Sequence, residues 1–161
     1  MSYPDPVHLG SGEASASYRP AGTPPELPRP GGAASYLATG ADTGGRFGLY
    51  RWDMGPQPAG ADAHFHRTFA ESFFVLTGTV RLYDGRAWFD GSPGDWVHVP
   101  EGGLHGFRNE SGQPASLLIH FAPGVPREAY FKGLVEIAEG RWQPGREEFL
   151  AFCEEHDNIY V

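Results

Sequence analysis

Cysteine is nearly missing from this chain: Cys153 is the single one in 161 residues. No intrachain disulfide can form, and no multi-cysteine metal cage can be built. Positive charge is also scarce, with 12 Lys and Arg against 20 Asp and Glu and a net charge of −8. A nucleic-acid binder needs a basic face, and so does a polybasic membrane contact, so neither partner is expected. Long hydrophobic runs do not occur; none approaches the roughly 18 apolar residues that span a bilayer. The start, MSYPDPVHLG, carries neither the basic nor the apolar region of a secretory signal. A soluble, reduced, cytoplasmic protein is the simplest expectation. What the chain does hold is apolar residues, 40% of it, with aromatics at 14%. That suffices for one domain with a packed core. It also holds seven histidines, and any metal site must come from them and the carboxylates.

Residues 1–35 contain seven Pro and five Gly, as in RPAGTPPELPRPGG. Proline lacks a backbone donor and glycine costs entropy, so this stretch is expected to be an irregular arm. From about 36 to 124 the texture changes. Short apolar runs such as FGLYRWDM, SFFVLTG, TVRLYDG, DWVHVP and SLLIHFA alternate with breaks such as MGPQPAG, DGSPGD, PEGG and NESGQP. Many short strands without a helical period between them indicate an antiparallel sandwich or barrel. Over 125–161 the period shifts. Tyr130, Phe131, Leu134, Val135, Ile137 and Ala138 recur at helical spacing. PGREEFLAFCEEHD predicts a second short helix, with Cys153 on its apolar stripe as a core residue rather than a nucleophile. The fold class is therefore all-β with a short C-terminal helical extension.

Chemistry concentrates in GADAHFHRTFAESFFVLTG and GDWVHVPEGGLHGFRN. His64 and His66 are two apart, so on a strand both imidazoles point to one face. Glu71 follows as the next strand begins, and the PEGG turn can swing in His105. Three imidazoles and one carboxylate suit a divalent transition metal such as Fe, Mn, Ni, Co, Cu or Zn. Gly78 in LTGTV predicts a tight hairpin. Pro100 and Gly102 shape the loop before His105, and Asn109 is expected to brace a turn.

These residues resemble the cupin superfamily. Its second motif, Gly-x5-Pro-x-Gly-x2-His-x3-Asn, is met by Gly94, Pro100, Gly102, His105 and Asn109. Its first is met by His64, His66, Glu71 and Gly78, and departs at the leading glycine, where Pro58 stands with Gly60 two residues on. A looser likeness in YLATGADTGGRFGLYRWDM and FAPGVPREAYFKGL is to small bacterial proteins called quercetin 2,3-dioxygenase-like. The resemblance implies a double-stranded β-helix, or jelly roll, holding one metal on His64, His66, Glu71 and His105. It also implies oxygen-dependent cleavage of a flavonol ring with release of CO, Glu71 accepting the proton of the substrate's 3-hydroxyl.

Strand parity places Phe73, Val75 and Phe107 toward the metal cavity, where an apolar wall suits a planar organic substrate, or serves as ordinary core. His98 and His120 are candidates to line the same pocket. His8 and His156 are expected to be exposed. Three functions stay open: a dioxygenase acting on a flavonol-like or other enolisable aromatic with O2; a non-redox metal cupin, an isomerase or cyclase tailoring a polyketide-like molecule; and a non-catalytic ligand-binding module. A homodimer is expected, because the proline-rich arm and the apolar tail helix have little obvious place on a closed monomer.

Overall fold

A computed structural model describes residues 2–161. The elements in chain order are β1 (Leu27–Arg29), β2 (Gly32–Ala38), β3 (Gly48–Met54), β4 (Ala59–Phe65), β5 (Ala70–Thr77), β6 (Val80–Tyr83), β7 (Trp88–Gly91), β8 (Trp96–Val99), β9 (His105–Asn109), β10 (Ala115–Ala122), α1 (Glu128–Ala138), α2 (Arg146–Glu155) and β11 (Ile159–Tyr160). The strands form two antiparallel sheets, ordered β1-β2-β3-β10-β5-β8 and β11-β4-β9-β6-β7.

The pairing has a simple logic. β6 pairs with β7, β5 with β8, β4 with β9 and β3 with β10. The chain is one long hairpin rolled so that successive pairs fall in alternate sheets, which is the jelly roll. Alternation along each strand supplies the core. Tyr50, Trp52 and Met54 of β3, Phe73 and Val75 of β5, and Leu117, Ile119 and Phe121 of β10 all point inward and are buried. From the other sheet come Val80, Leu82 and Phe107. Burying each large apolar side chain contributes about 1.5–3 kcal/mol, so this layer dominates the stability of the roll.

Three expectations change. The proline-rich stretch is not irregular to residue 35: Leu27–Arg29 pairs with Gly32–Ala34, and β2 continues along β3. Pro28 is tolerated because β1 is the sheet's edge, where one backbone face needs no ladder donor. The C-terminal extension is not purely helical, since β11 returns to pair with β4. Gly78 does not make a hairpin. β5 and β6 lie in different sheets, and Gly78, at φ 71°, turns the corner between them. A Cβ there would run into the Pro114 carbonyl.

Both expected helices form. Tyr130, Phe131 and Val135 of α1 are buried, and Phe131 packs on Tyr50 and Trp52 with ring centroids 5.3 and 5.1 Å apart. Cys153 is fully buried on α2, and burial pushes its thiol up to about 11. It is an inert core residue, as the pattern implies.

Candidate metal centre

β4 carries the first two histidines, and a backbone irregularity aims them. Ala61 pairs with Phe107 and His64 with His105, so β4 gains one residue on β9 between those pairs. A bulge of this kind reverses which residues face inward. Ala61 and His64 therefore both face the interior although an odd number of residues separates them. Gly60, at φ 155°, lies just upstream against the Phe107 carbonyl, where a Cβ would collide. The glycine that departs from the motif spacing thus fits the close approach of β4 to β9.

Glu71 comes from the opposite sheet, near the start of β5, paired with Val99 and Phe121. His105 opens β9 directly after the Pro100–Gly103 turn, which is closed by Gly103 N donating to Pro100 O at 2.9 Å. Gly102 N also donates to His66 O at 2.7 Å, tying the loops of two histidines together. The four side chains are only 1–4% exposed. One potential ligand atom from each lies within 4.8 Å of all the others.

Hydrogen bonds fix the ring orientations. Nδ1 of His64 meets the Asp62 carbonyl at 2.7 Å, that of His66 the Asp157 carbonyl at 2.6 Å, and that of His105 the Gly103 carbonyl at 2.9 Å. A carbonyl can only accept, so each Nδ1 donates and each Nε2 turns inward, free to lend a lone pair to a cation or, in its absence, to carry a proton. Nε2 of His66 and of His105 each stand 2.8 Å from the same oxygen, Glu71 Oε2. Two donors about 2.0 Å from one ion and at right angles are ~2.8 Å apart. Ring nitrogens converging beside a carboxylate suit a cation among them, and backbone-anchored imidazoles are how proteins hold one. The donor set fits a divalent transition metal.

The electrostatics agree. Burial, and next the nearby His105, push His64 down to about 3, so it stays neutral. Burial works against charge on Glu71, but hydrogen bonds from His105 and His66 outweigh it and hold the carboxyl well below its usual range. Burial likewise opposes charge on His105, yet its bond to Glu71 raises it above the ordinary histidine value.

Of the proposed pocket residues, Phe73 and Phe107 lie on the inner face, with Phe73 5.9 Å from the His105 ring and 5.4 Å from Phe107. Val75 is buried with them. His98 and His120 do not join them. On β8 the inward residues are Val97 and Val99, and on β10 they are Leu117, Ile119 and Phe121, so both histidines face out. There they flank Ser72 across three strands, in a shallow groove of about 460 Å³ with Ala70, Trp96 and Ala122. Ser72 Oγ is hydrogen-bonded to His98 Nδ1 at 3.0 Å. His8 is exposed as expected. His156 is half-buried instead, packed on Phe152 and Tyr130. Asn109 is fully buried: its amide donates to Gly55 O and Gln113 O while its oxygen accepts from Ser111. It braces two turns, as anticipated.

Sequence reasoning missed four residues. Phe69 stacks on His66 at 4.1 Å. Tyr160 lies 5.5 Å from His64. Asp157 supplies the His66 acceptor, and the buried Arg127 holds the residues on either side of Asp157. The available signal was the closing IYV, a β-prone run directly after the turn-formers Asp157 and Asn158.

Known proteins place this arrangement. The family described as Cupin domain matches residues 50–121, from β3 nearly to the end of β10. Quercetin 2,3-dioxygenase of Bacillus subtilis (strain 168) is 27% identical over 123 residues, which is 76% of this chain but 36% of that protein. The chain thus spans well under half the length of that relative. A predicted oxalate decarboxylase from Thermotoga maritima superposes with a TM-score of 0.58 at 17% identity, over 67% of this chain and 99% of that one. A sugar phosphate isomerase of the cupin superfamily from Silicibacter pomeroyi gives 0.51 at 26% identity, over 63% and 67%. The polyketide cyclase RemF from Streptomyces resistomycificus gives 0.52 at 24%, over 68% and 80%. The rolled hairpin, the two motifs and the domain match agree on residues 50–121, which form a cupin domain.

Proposed function

We propose that this chain is a metal-dependent dioxygenase that opens a flavonol-like or other enolisable aromatic substrate with O2. The observation that carries the metal-dependent part is the clustering of three backbone-anchored imidazoles with Glu71 inside the barrel, one potential ligand atom of each within 4.8 Å of the others. The likeness to a quercetin 2,3-dioxygenase supports the oxidative part.

His64, His66, His105 and Glu71 would hold one divalent transition metal, which when bound supplies Lewis acidity toward a substrate hydroxyl and, if redox-active, electron transfer with O2. The chain's own work is positioning and proton handling. The carbonyls of Asp62, Asp157 and Gly103 keep the rings in the tautomer that offers Nε2. Glu71 is ionised at neutral pH and is in the form that accepts a proton. Phe69 and Phe73 exclude water from the ring faces of His66 and His105.

The test is O2 uptake by metal-loaded protein with a flavonol, run aerobically and anaerobically after elemental analysis. Substrate-dependent uptake with no conversion under nitrogen is expected. Equal conversion without O2 would establish the second reading, a non-redox isomerase or cyclase, which the likeness to a cupin sugar phosphate isomerase at 26% identity favours. No turnover with any candidate would leave a ligand-binding module.

A homodimer is part of the same proposal, and light scattering at micromolar concentration checks it. Among the described residues no helix is long and apolar enough to cross a membrane.

A further inference from the structure

The three histidines that converge on Glu71 are not held alike. His64 and His105 each bond a carbonyl two residues earlier in the chain, Asp62 and Gly103. Their orientation is a local property of β4 and of the turn before β9. His66 instead bonds the carbonyl of Asp157, 91 residues away. We propose that the C-terminal segment 156–160 is a working part of the metal centre, with Asp157 the positioning residue that sets the His66 ring and its offset from Glu71. This rests on the reading of the four side chains as metal ligands.

Asp157 acts through both of its carbonyl-bearing groups. Its backbone oxygen accepts a hydrogen bond from His66 Nδ1 at 2.6 Å. Its carboxylate accepts from Arg67 N at 3.0 and 2.9 Å, from Thr68 N at 2.8 Å and from Thr68 Oγ1 at 2.7 Å. Residues 67–69 are the link between His66 and the strand that carries Glu71. One residue thus orients one ligand and clamps the loop that spaces it from a second.

The backbone there is held in place. Asp157 has φ 55°, the one positive value outside glycine among the described residues. Aspartate and asparagine tolerate that region better than most side chains. Arg127 grips both flanks, donating from Nη1 to His156 O and from Nη2 to Asn158 Oδ1, each at 2.6 Å. Its guanidinium is buried among the rings of Phe69, Phe121, Tyr130 and Phe131. Beyond the turn, Ile159 pairs with Phe65 and Tyr160 with His64. A tail that only completed the sheet would need that ladder alone. It would not need a carbonyl aimed at a ring nitrogen and a carboxylate spread over three donors of the ligand loop.

The test uses Co²⁺ as the probe on the metal-free full chain, reading affinity by titration and ligand geometry by the visible absorption bands. Asp157→Ala should weaken Co²⁺ binding about 10–100-fold, the usual range for groups that orient a ligand, and shift the bands. Asp157→Asn keeps the left-handed preference and a side-chain oxygen for Thr68, and should recover most of both. The loss should vanish in a His66→Ala background and persist in His64→Ala. An equal loss in the His66→Ala background, or unchanged affinity and bands in Asp157→Ala, would overturn the proposal while leaving the metal centre standing. A wild-type chain that takes up no Co²⁺ would remove the metal reading itself and the proposal with it. If Asp157→Ala loses its far-UV signature, Asp157→Gly carries the same criteria, since it keeps the backbone conformation and deletes only the carboxylate.

Discussion

Strand β5 shows two kinds of site on its two faces. Inward, Glu71 meets three histidines that are almost completely buried, each with one ring nitrogen spent on a backbone carbonyl. Outward, one residue later, Ser72 lies between His98 and His120. Those two histidines are partly or fully exposed and stack on Trp96 and Phe47. Each face presents imidazoles beside an oxygen-bearing side chain. What separates them is dryness and anchoring. A ligand needs one nitrogen immobilised and the other aimed at a shared point with water excluded, and the inner face alone meets these conditions.

Ligand substitution should break the contrast most sharply. His66→Ala or His105→Ala removes a nitrogen that stands 2.8 Å from Glu71 and should strip most of the metal after dialysis against chelator, read by elemental analysis. His64→Ala should do the same. Acid works in the same direction, because protons compete for the Nε2 atoms. Without metal, His105 holds its proton above the ordinary histidine value and His64 only to about 3. Metal release should therefore begin as pH falls through the upper histidine range, led by His105, with His64 protonating well after it. Full retention of metal in any of the three histidine variants would remove that residue from the site.

Glu71→Gln sharpens the comparison from the other side. Three imidazoles remain, so at least about half the metal should stay, while loss of the base should cost on the order of a hundredfold in turnover. Metal content and steady-state rate on one preparation decide it. Near wild-type turnover with metal bound would exclude the proton-acceptor role.

The smallest effect belongs to the outer face. His98→Ala with His120→Ala should leave metal content unchanged and shift stability by less than about 1 kcal/mol, as surface changes away from caps and cores do. A large loss of metal there would mean that the two faces are coupled.

Much of this was legible in the residues. The apolar runs give the strands, the helical spacing after APGVP gives α1 and α2, and the motif spacing picks out His64, His66, Glu71 and His105, the four side chains that meet. Parity alone did not explain why they meet, since a bulge reverses β4 between Ala61 and His64. In WVHV and LLIHFA the inward phase is carried by Val97 and Val99 and by Leu117, Ile119 and Phe121. Trp96 and Leu118, apolar but outward, blurred that alternation and drew His98 and His120 toward the pocket. Leu27–Arg29 was hidden by Pro28, which only an edge strand accommodates. Asp157 was invisible for another reason: its partner lies 91 residues away, and no local pattern reports a contact at that separation.

The rolled hairpin also implies an order of assembly. Joining β6 to β7 closes only the turn from Tyr83 to Trp88, whereas joining β3 to β10 closes the chain from Met54 to Ala115. Closure entropy grows with the length enclosed, by about 0.6 kcal/mol per doubling. The inner pairs thus carry the smaller closure cost, and each pair formed shortens the loop left for the next. His64 and His105 sit on the third pair out, and the His66 anchor arrives only with the last residues of the chain. A metal ion held by these side chains would have no template while the first turns close, so its capture would mark a finished roll rather than seed one.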